Sequence, residues 1–275
     1  MELINSWVVV TGASRGIGVN IAEEFARRKA NLILIARSME GLEKTSKKLE
    51  KYGVKIKPLS FDLQNIAQIE ELVKEIYKIT SSVDILVNNA GLEKYCNFSE
   101  SKYEDINSIM SVNLLAPMEM TRLLLPQMLN KKRGHIINIS SLGGELGEVY
   151  NCIYSASKGG IDLWADALRQ ELHGTGVNVS LVNPGYIRDI GMIYNIGMGT
   201  PFISGSCKAD DVSKAVVKCI VKNKSQIFVN SFPVKPMIIS KLLTPGIFDA
   251  VARLSGVTKL NKAKVEKRKI SDRNK

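Results

Sequence analysis

Short apolar runs alternate with amphipathic stretches from the first residues onward. Trp7 to Val10 is an apolar run that ends at Thr11-Gly12. Ile17 to Lys29 then has helical spacing, with Ile21, Phe25 and neighbouring alanines on one face. Asn31 to Ala36 is apolar after its first residue, as expected of a parallel strand covered on both sides. The charged stretch Ser38 to Tyr52 predicts a surface helix and Val54 to Ser60 a strand. Ile66 to Thr80 predicts a helix with an apolar stripe that includes Ile69, Leu72, Val73 and Ile76. Asp84 to Asn88 and Gly134 to Ser140 read as strands, and Tyr103 to Leu129 as containing a long helix. The pattern closes with a helix over Tyr154 to Leu172, a strand over Val177 to Asn183, a helix over Asp210 to Lys222 and a short strand over Gln226 to Asn230.

Repeated β-α units with near-continuous apolar strands predict an α/β fold. It is a Rossmann-type, doubly wound parallel sheet of about seven strands with helices on both faces, in three layers. There is no repeat of fixed period and no Pro/Gly/Ser-rich linker before residue 190, so residues 1–257 read as one domain. The 275 residues are 45% hydrophobic and 24% charged, values that exclude a disordered or membrane-spanning chain. Met1 to Ser6 has no basic start or long apolar stretch, so no secretory signal is expected. Cys96, Cys152, Cys207 and Cys219 have no Cys-x-x-Cys spacing, and His135 and His173 complete no zinc set. Reduced thiols, a cytoplasmic location and no metal follow as expectations.

Net charge is +11, of which +6 lies in Lys259 to Lys275, where eight Lys or Arg face only Glu266 and Asp272. That segment, residues 258–275, reads as a basic, flexible, solvated tail rather than an anionic-membrane or nucleic-acid contact.

The first strand runs into Thr11-Gly12-Ala13-Ser14-Arg15-Gly16-Ile17-Gly18. Such a turn brings backbone amides close to a pyrophosphate, and the following helix points its positive end at it. The second strand ends Ile35-Ala36-Arg37-Ser38. An acid there would accept from a ribose 2′-hydroxyl. Arg37 cannot, but with Arg15 it can clamp a 2′-phosphate, which favours NADP(H) over NAD(H). Further along, Tyr154 and Lys158 project from one face of a helix. An ammonium beside a phenol favours the phenolate, so a lowered Tyr154 pKa is expected. Ser141, at the end of a strand, is placed to donate to a carbonyl.

The spacing T-G-x-x-x-G-I-G resembles the short-chain dehydrogenase/reductase family. So do Asn88-Asn89-Ala90-Gly91, Asn113, Ser141, Tyr154-x-x-x-Lys158 and Asn183-Pro184-Gly185, all in order. The resemblance spans residues 7 to about 189. It implies an oxidoreductase that moves hydride between nicotinamide and a ketone or secondary alcohol. In it Tyr154 would be the proton donor and Ser141 the orienter of the carbonyl. Lys158 would bind the nicotinamide ribose, and Asn113 would hold a water linking Lys158 to solvent. The dinucleotide would lie along Gly12, Ser14, Arg15, Gly16, Ile17, Gly18 and Arg37. Asp62 and Leu63 would sit near the adenine, Asn89, Ala90 and Gly91 along the cofactor, and Pro184, Gly185 and Ile187 by the nicotinamide. Asp189 departs from the pattern, since the family usually has a threonine there. The family's pairing of the helices within Tyr103–Leu129 and Tyr154–Leu172 implies a homodimer or homotetramer; the alternative is that these helices are core. A cofactor-sensing protein without turnover is the competing function, but such relatives usually lose the tyrosine or lysine that this chain keeps.

His135 and His173 read as structural, and Asp162 and Asp166 as a solvated helix face. Glycines at 191, 197, 199 and 205 suggest that residues 190–207 are a mobile, apolar substrate lid. The apolar segment Pro233 to Val257 has three readings: a roof over a lipid-like carbonyl, a peripheral membrane contact, or an oligomer interface. Extended members such as 3-ketosphinganine reductases and hydroxysteroid dehydrogenases are similar in outline, and 3-oxoacyl substrates belong to the same lipid-like class.

Overall fold

A computed structural model describes residues 1–190 and 204–273. Four β-α units open the chain: β1 (Trp7–Thr11), α1 (Ile17–Arg27), β2 (Asn31–Ala36), α2 (Met39–Leu49), β3 (Ile56–Ser60), α3 (Ile69–Ile79) and β4 (Ile85–Asn88), followed by α4 (Tyr103–Met110) and α5 (Ala116–Asn130). Then come β5 (Gly134–Ile139), α6 (Leu142–Leu146), α7 (Cys152–Glu171), β6 (Val177–Pro184), α8 (Ala209–Val221) and β7 (Gln226–Val229). The chain continues through α9 (Val234–Leu243), α10 (Pro245–Leu254) and α11 (Val257–Arg273). The strands form one parallel sheet in the order β3-β2-β1-β4-β5-β6-β7. Strand order reverses between β1 and β4, which opens a crevice beyond their carboxyl ends.

Alternate strand residues feed two cores. Val8, Val10, Leu32 and Leu34 pack with Ile21, Phe25 and Val216 on one face. Val9, Ile33 and Leu86 pack with Leu72, Leu124 and Leu168 on the other. Each such side chain, fully buried, contributes about 1.5–3 kcal/mol. His135 is buried in this sheet with Nε2 at 2.8 Å from Ser180 Oγ, and burial pushes its pKa down to about 3, so it stays neutral.

Two elements depart from the sequence reading. The long helix expected within Tyr103–Leu129 is interrupted by a π-turn at Ser111–Leu115, which joins α4 to α5. Residues 258–273, read from their charge as a solvated tail, instead form most of α11, with Leu260, Asn261, Lys264 and Val265 buried. Charge density concealed an inward face made of only these few positions. The proposed lid falls mostly on residues 191–203, outside the described residues. Ile190 and Ser204, on either side, line the cavity described next.

Candidate active site

A cavity of about 1090 Å³ runs from the glycine-rich turn, across the carboxyl ends of the strands, to the underside of α10. Glycine is obligatory at its floor. A Cβ at Gly12 would lie 2.9 Å from Ala90 Cα, and one at Gly18 would lie 2.2 Å from Gly12 O. The turn is latched across the crevice by Thr11 and Asn89. Thr11 Oγ1 accepts from Asn89 N at 3.0 Å and Ala90 N at 3.1 Å, and Asn89 Nδ2 donates to Thr11 O at 2.9 Å. Thr11 therefore holds the turn, a role visible only in its contacts across the crevice.

Ser14, Arg15, Gly16, Ile17, Arg37, Asp62, Leu63, Ala90 and Gly91 all line this end of the cavity. Neither Arg15 nor Arg37 makes an ion pair among the described residues, and both are exposed, so two uncommitted guanidinium groups flank the turn. The narrow glycine floor and these cations fit a dinucleotide with an additional phosphate.

Ser141, Tyr154 and Lys158 line the middle of the cavity, with Pro184, Gly185 and Ile187 opposite. Ser141 caps α6, accepting from Gly143 N at 3.1 Å, and its hydroxyl hydrogen-bonds Tyr154. Lys158 Nζ donates to Ile139 O at 2.8 Å and lies 5.8 Å from the Tyr154 ring centre. Burial lowers the Lys158 pKa to about 8, opposed by Asp162 and Glu93. The lowered Tyr154 pKa expected from the sequence is not what this arrangement produces. Burial raises it, and nearby Glu93 adds to the rise. The Tyr154 phenol is therefore protonated at neutral pH.

The π-turn carries Asn113 inward. Its Oδ1 accepts from Leu92 N at 2.8 Å, and its Nδ2 donates to Leu92 O at 2.9 Å and Ser157 Oγ at 2.9 Å. Asn113 thus pins the segment after Gly91 against α7. Asp162, expected on a solvated face, is drawn inward as well. Asn183 Nδ2 reaches its two oxygens at 3.3 and 3.2 Å, and burial pushes its carboxyl up to about 7. Asp166, one turn on, is exposed and pairs with Arg169 as expected. Asp189 turns to α8, where its Oδ1 accepts from Ala209 N at 3.1 Å.

The far end of the cavity is closed by residues that no motif announced. Met237, Phe248, Val251 and Val257 form an apolar roof, tied to α6 by Lys241 Nζ donating to Glu145 O at 2.6 Å. The roof among the three readings of Pro233 to Val257 is thus occupied by the inward side of α9 and α10. Beside it, Glu148 Oε1 accepts from Tyr95 Oη at 2.7 Å, Tyr186 Oη at 2.9 Å and Asn261 Nδ2 at 3.2 Å. Lys264, buried on α11, donates to Tyr95 Oη at 2.9 Å, and its Nζ lies 3.8 Å from Glu148 and 4.9 Å from the Tyr186 ring centre. Among the described residues, no group of three His, Cys, Asp or Glu could hold a metal.

Similarities to known proteins agree with this geometry. The chain is 40% identical over 271 residues to a ketoacyl reductase, HetN, of Nostoc sp. (strain PCC 7120 / SAG 25.82 / UTEX 2576), covering 97% of this chain and 94% of that protein. It is 30% identical over 262 residues to dehydrogenase/reductase SDR family member 7B of Mus musculus, covering 90% and 80%. The solved structure of a metagenomic short-chain oxidoreductase in complex with NADP superposes with a TM-score of 0.72 at 30% identity, over 83% of this chain and 98% of that one. Residues 6–196 match the family model described as short chain dehydrogenase. The chain is an oxidoreductase that belongs to the short-chain dehydrogenase/reductase family, whose members use NAD(P).

Proposed function

We propose that the protein is an NADPH-dependent reductase of a lipid-like ketone, with Tyr154, Ser141, Lys158 and Asn113 as its working residues. The observation that carries this reading is one continuous cavity, with free arginines at one end, a protonated tyrosine in the middle and an apolar roof at the other. The bound nicotinamide supplies the hydride that adds to the carbonyl carbon. Ser141 orients the carbonyl oxygen, and the Tyr154 phenol, protonated because it is buried, gives that oxygen its proton. Lys158 stands on α7 one turn from Tyr154, placed to hold the ribose and to replenish the proton. Asn113 fixes the segment past which that proton would travel.

Arg15 and Arg37 support NADPH over NADH, because no acid stands where a 2′-hydroxyl would need one. The roof supports an apolar substrate of the 3-oxoacyl, 3-ketosphinganine or steroid type. The ketoacyl reductase of Nostoc points to the same class. A homodimer or homotetramer through the helices within Tyr103–Leu129, α4 and α5, and through α7 is supported by Tyr103, Leu115 and Leu163, which stand exposed there. The outward faces of α9 and α10, which include Leu242, Leu243, Ile247 and Leu254, suit peripheral contact with an anionic membrane from the cytoplasmic side.

Titrating NADPH and NADH into the protein and into Arg37→Asp tests the cofactor reading. The expected result is a preference for NADPH that falls by tenfold or more, roughly the loss of one charge-assisted contact. Equal binding of the two cofactors would overturn it. Tyr154→Phe should keep NADPH binding and lose turnover by about 100-fold or more. Loss of binding together with turnover would count against its role as proton donor, and NADPH binding without turnover on any ketone would favour the cofactor-sensing alternative.

A further inference from the structure

Two carboxylates stand in the cavity wall beyond Tyr154, and they differ in how fully they are used. Glu148 accepts on Oε1 from Tyr95, Tyr186 and Asn261, and on Oε2 from Asn151 at 3.1 Å. It also has the buried Lys264 ammonium at 3.8 Å. Its acceptor capacity is filled and its charge is opposed. Glu93 has no comparable set. Among the described residues its carboxylate takes one hydrogen bond, a long one of 3.5 Å from Asn151 Nδ2 to Oε2. No ion pair reaches it, because Lys264 is turned to Tyr95 and Glu148 and Lys158 is turned to Ile139 O.

Glu93 nevertheless faces the cavity, in the segment that runs from Gly91 past Asn113 and Lys158. A Cβ on Gly91 would lie 3.6 Å from Asn113 Oδ1 and 3.7 Å from Lys158 Nζ. A carboxylate offers about four acceptor positions; burial, with Glu148 close by, raises the Glu93 pKa, so a donor placed on its open positions would favour the charged form. The walls around it are otherwise apolar or already hydrogen-bonded, with Leu92, Leu142, Leu146 and Met237 nearby along the same cavity. A donor that enters with the ligand would find these acceptor positions open, and Glu93 acts electrostatically on both Tyr154 and Lys158, which puts it near the carbonyl those residues would face.

We infer that Glu93 is a specificity-determining residue that binds a hydrogen-bond donor on the substrate, a hydroxyl or ammonium one or two carbons from the reacting carbonyl. The inference rests on the reductase reading and narrows it. The substrate is an amphiphile with an apolar chain under the α9–α10 roof and a donor group against Glu93. A ketone with a carboxylate in that place sets a second acid against Glu93 and Glu148 and is disfavoured.

The test uses three long-chain ketones matched in length, bearing an α-ammonium or α-hydroxyl group, no substituent, or a carboxylate. Wild-type protein should reduce the donor-bearing ketone with a kcat/KM about tenfold or more above the unsubstituted one, expressed mainly in KM, and discriminate most strongly against the carboxylate. In Glu93→Gln the ratio between ammonium and carboxylate substrates should collapse by tenfold or more. A ratio unchanged from wild type overturns the inference. Binding of a long-chain 2-amino alcohol against the fatty acid of equal length, measured by calorimetry on wild-type protein with NADP bound, reads the same contact without turnover. Equal affinities would overturn the inference even if ketones are reduced. Failure to reduce any ketone, with the amino alcohol still preferred, would instead remove the reductase reading and leave the Glu93 contact standing.

Discussion

Asp162 lies one turn after Lys158 on α7, and its environment differs from the open helix face that its neighbours in sequence suggest. Gly144 packs so closely against it that a Cβ there would lie 2.7 Å from Oδ2 and 2.8 Å from the Lys158 carbonyl carbon. The folded carboxyl titrates near 7, against an unfolded value of about 4, so between these limits the folded state binds more protons than the unfolded state. Stability from this group is therefore fully present below about pH 4 and is lost as pH rises toward 7. Asp162→Asn should flatten that part of the profile, which urea unfolding at a series of pH values would measure. A profile identical to wild type would show that Asp162 is not the titrating group. The same burial keeps Tyr154 a phenol, so the reducing direction needs no prior protonation at neutral pH.

Among the elements, α11 has the largest consequence. It reaches the site through Lys264, and Lys269 adds a surface pair with Glu100 at 2.8 Å. Removing the buried ammonium leaves Glu148 without its cation, beside Glu93, which shares the Asn151 amide with it. Lys264→Met should therefore cost about 3 kcal/mol, the usual order for breaking a buried pair on one side. It should also raise KM for ketones more than KM for NADPH, since Lys264 touches only the substrate end. Thermal unfolding together with steady-state kinetics would check both, and an unchanged Tm would remove α11 from the ledger of the site. The helix was not legible in the sequence because its charges outnumber its few inward residues, and because its partners stand 113 to 169 positions away. The sheet was legible for the opposite reason. β1, β2, β4, β5 and β6 are buried on both faces, and β1, β2 and β3 lead into helices with an apolar stripe, so there local pattern and burial coincide. Motif spacing led to the glycine turn, Ser141, Tyr154 and Lys158, which all line one cavity. It had no means of finding Glu93, Tyr95 or Glu148, whose meaning depends on contacts between distant segments.

For the whole molecule, the apolar face of α9 and α10 is the feature that most affects behaviour in solution. Leu254 is 88% exposed, Leu243 76%, Leu242 74% and Ile247 63%, while Met237 and Phe248 of the same two helices line the cavity. The same two helices thus carry an exposed apolar face and a cavity-lining one, and Lys235, Arg253, Lys259 and Lys262 are exposed along the same stretch of chain. No helix among the described residues is long and apolar enough to cross a membrane. Vesicles containing phosphatidylserine should co-sediment the protein, and Leu243→Asp with Leu254→Asp should abolish this while leaving its fold intact by circular dichroism. Release by 0.5 M salt alone, at roughly a 4 Å screening length, would indicate that charge rather than the apolar face holds it. Loss of a dimer in the double variant, with no vesicle binding by wild type, would assign the face to a second copy.

The wall around Glu148 ties the C-terminal helix to Glu148 and Tyr95, 113 and 169 residues earlier in the chain, through a few side chains. A helix held by so few inward side chains is expected to detach under mild stress before the strands separate, which hydrogen exchange would read as early loss of protection in α11 alone. Turnover would then disappear while the circular dichroism spectrum still reports a complete fold, so a preparation judged native by spectroscopy alone can be inactive. For this protein, enzyme assay is the stricter measure of having folded.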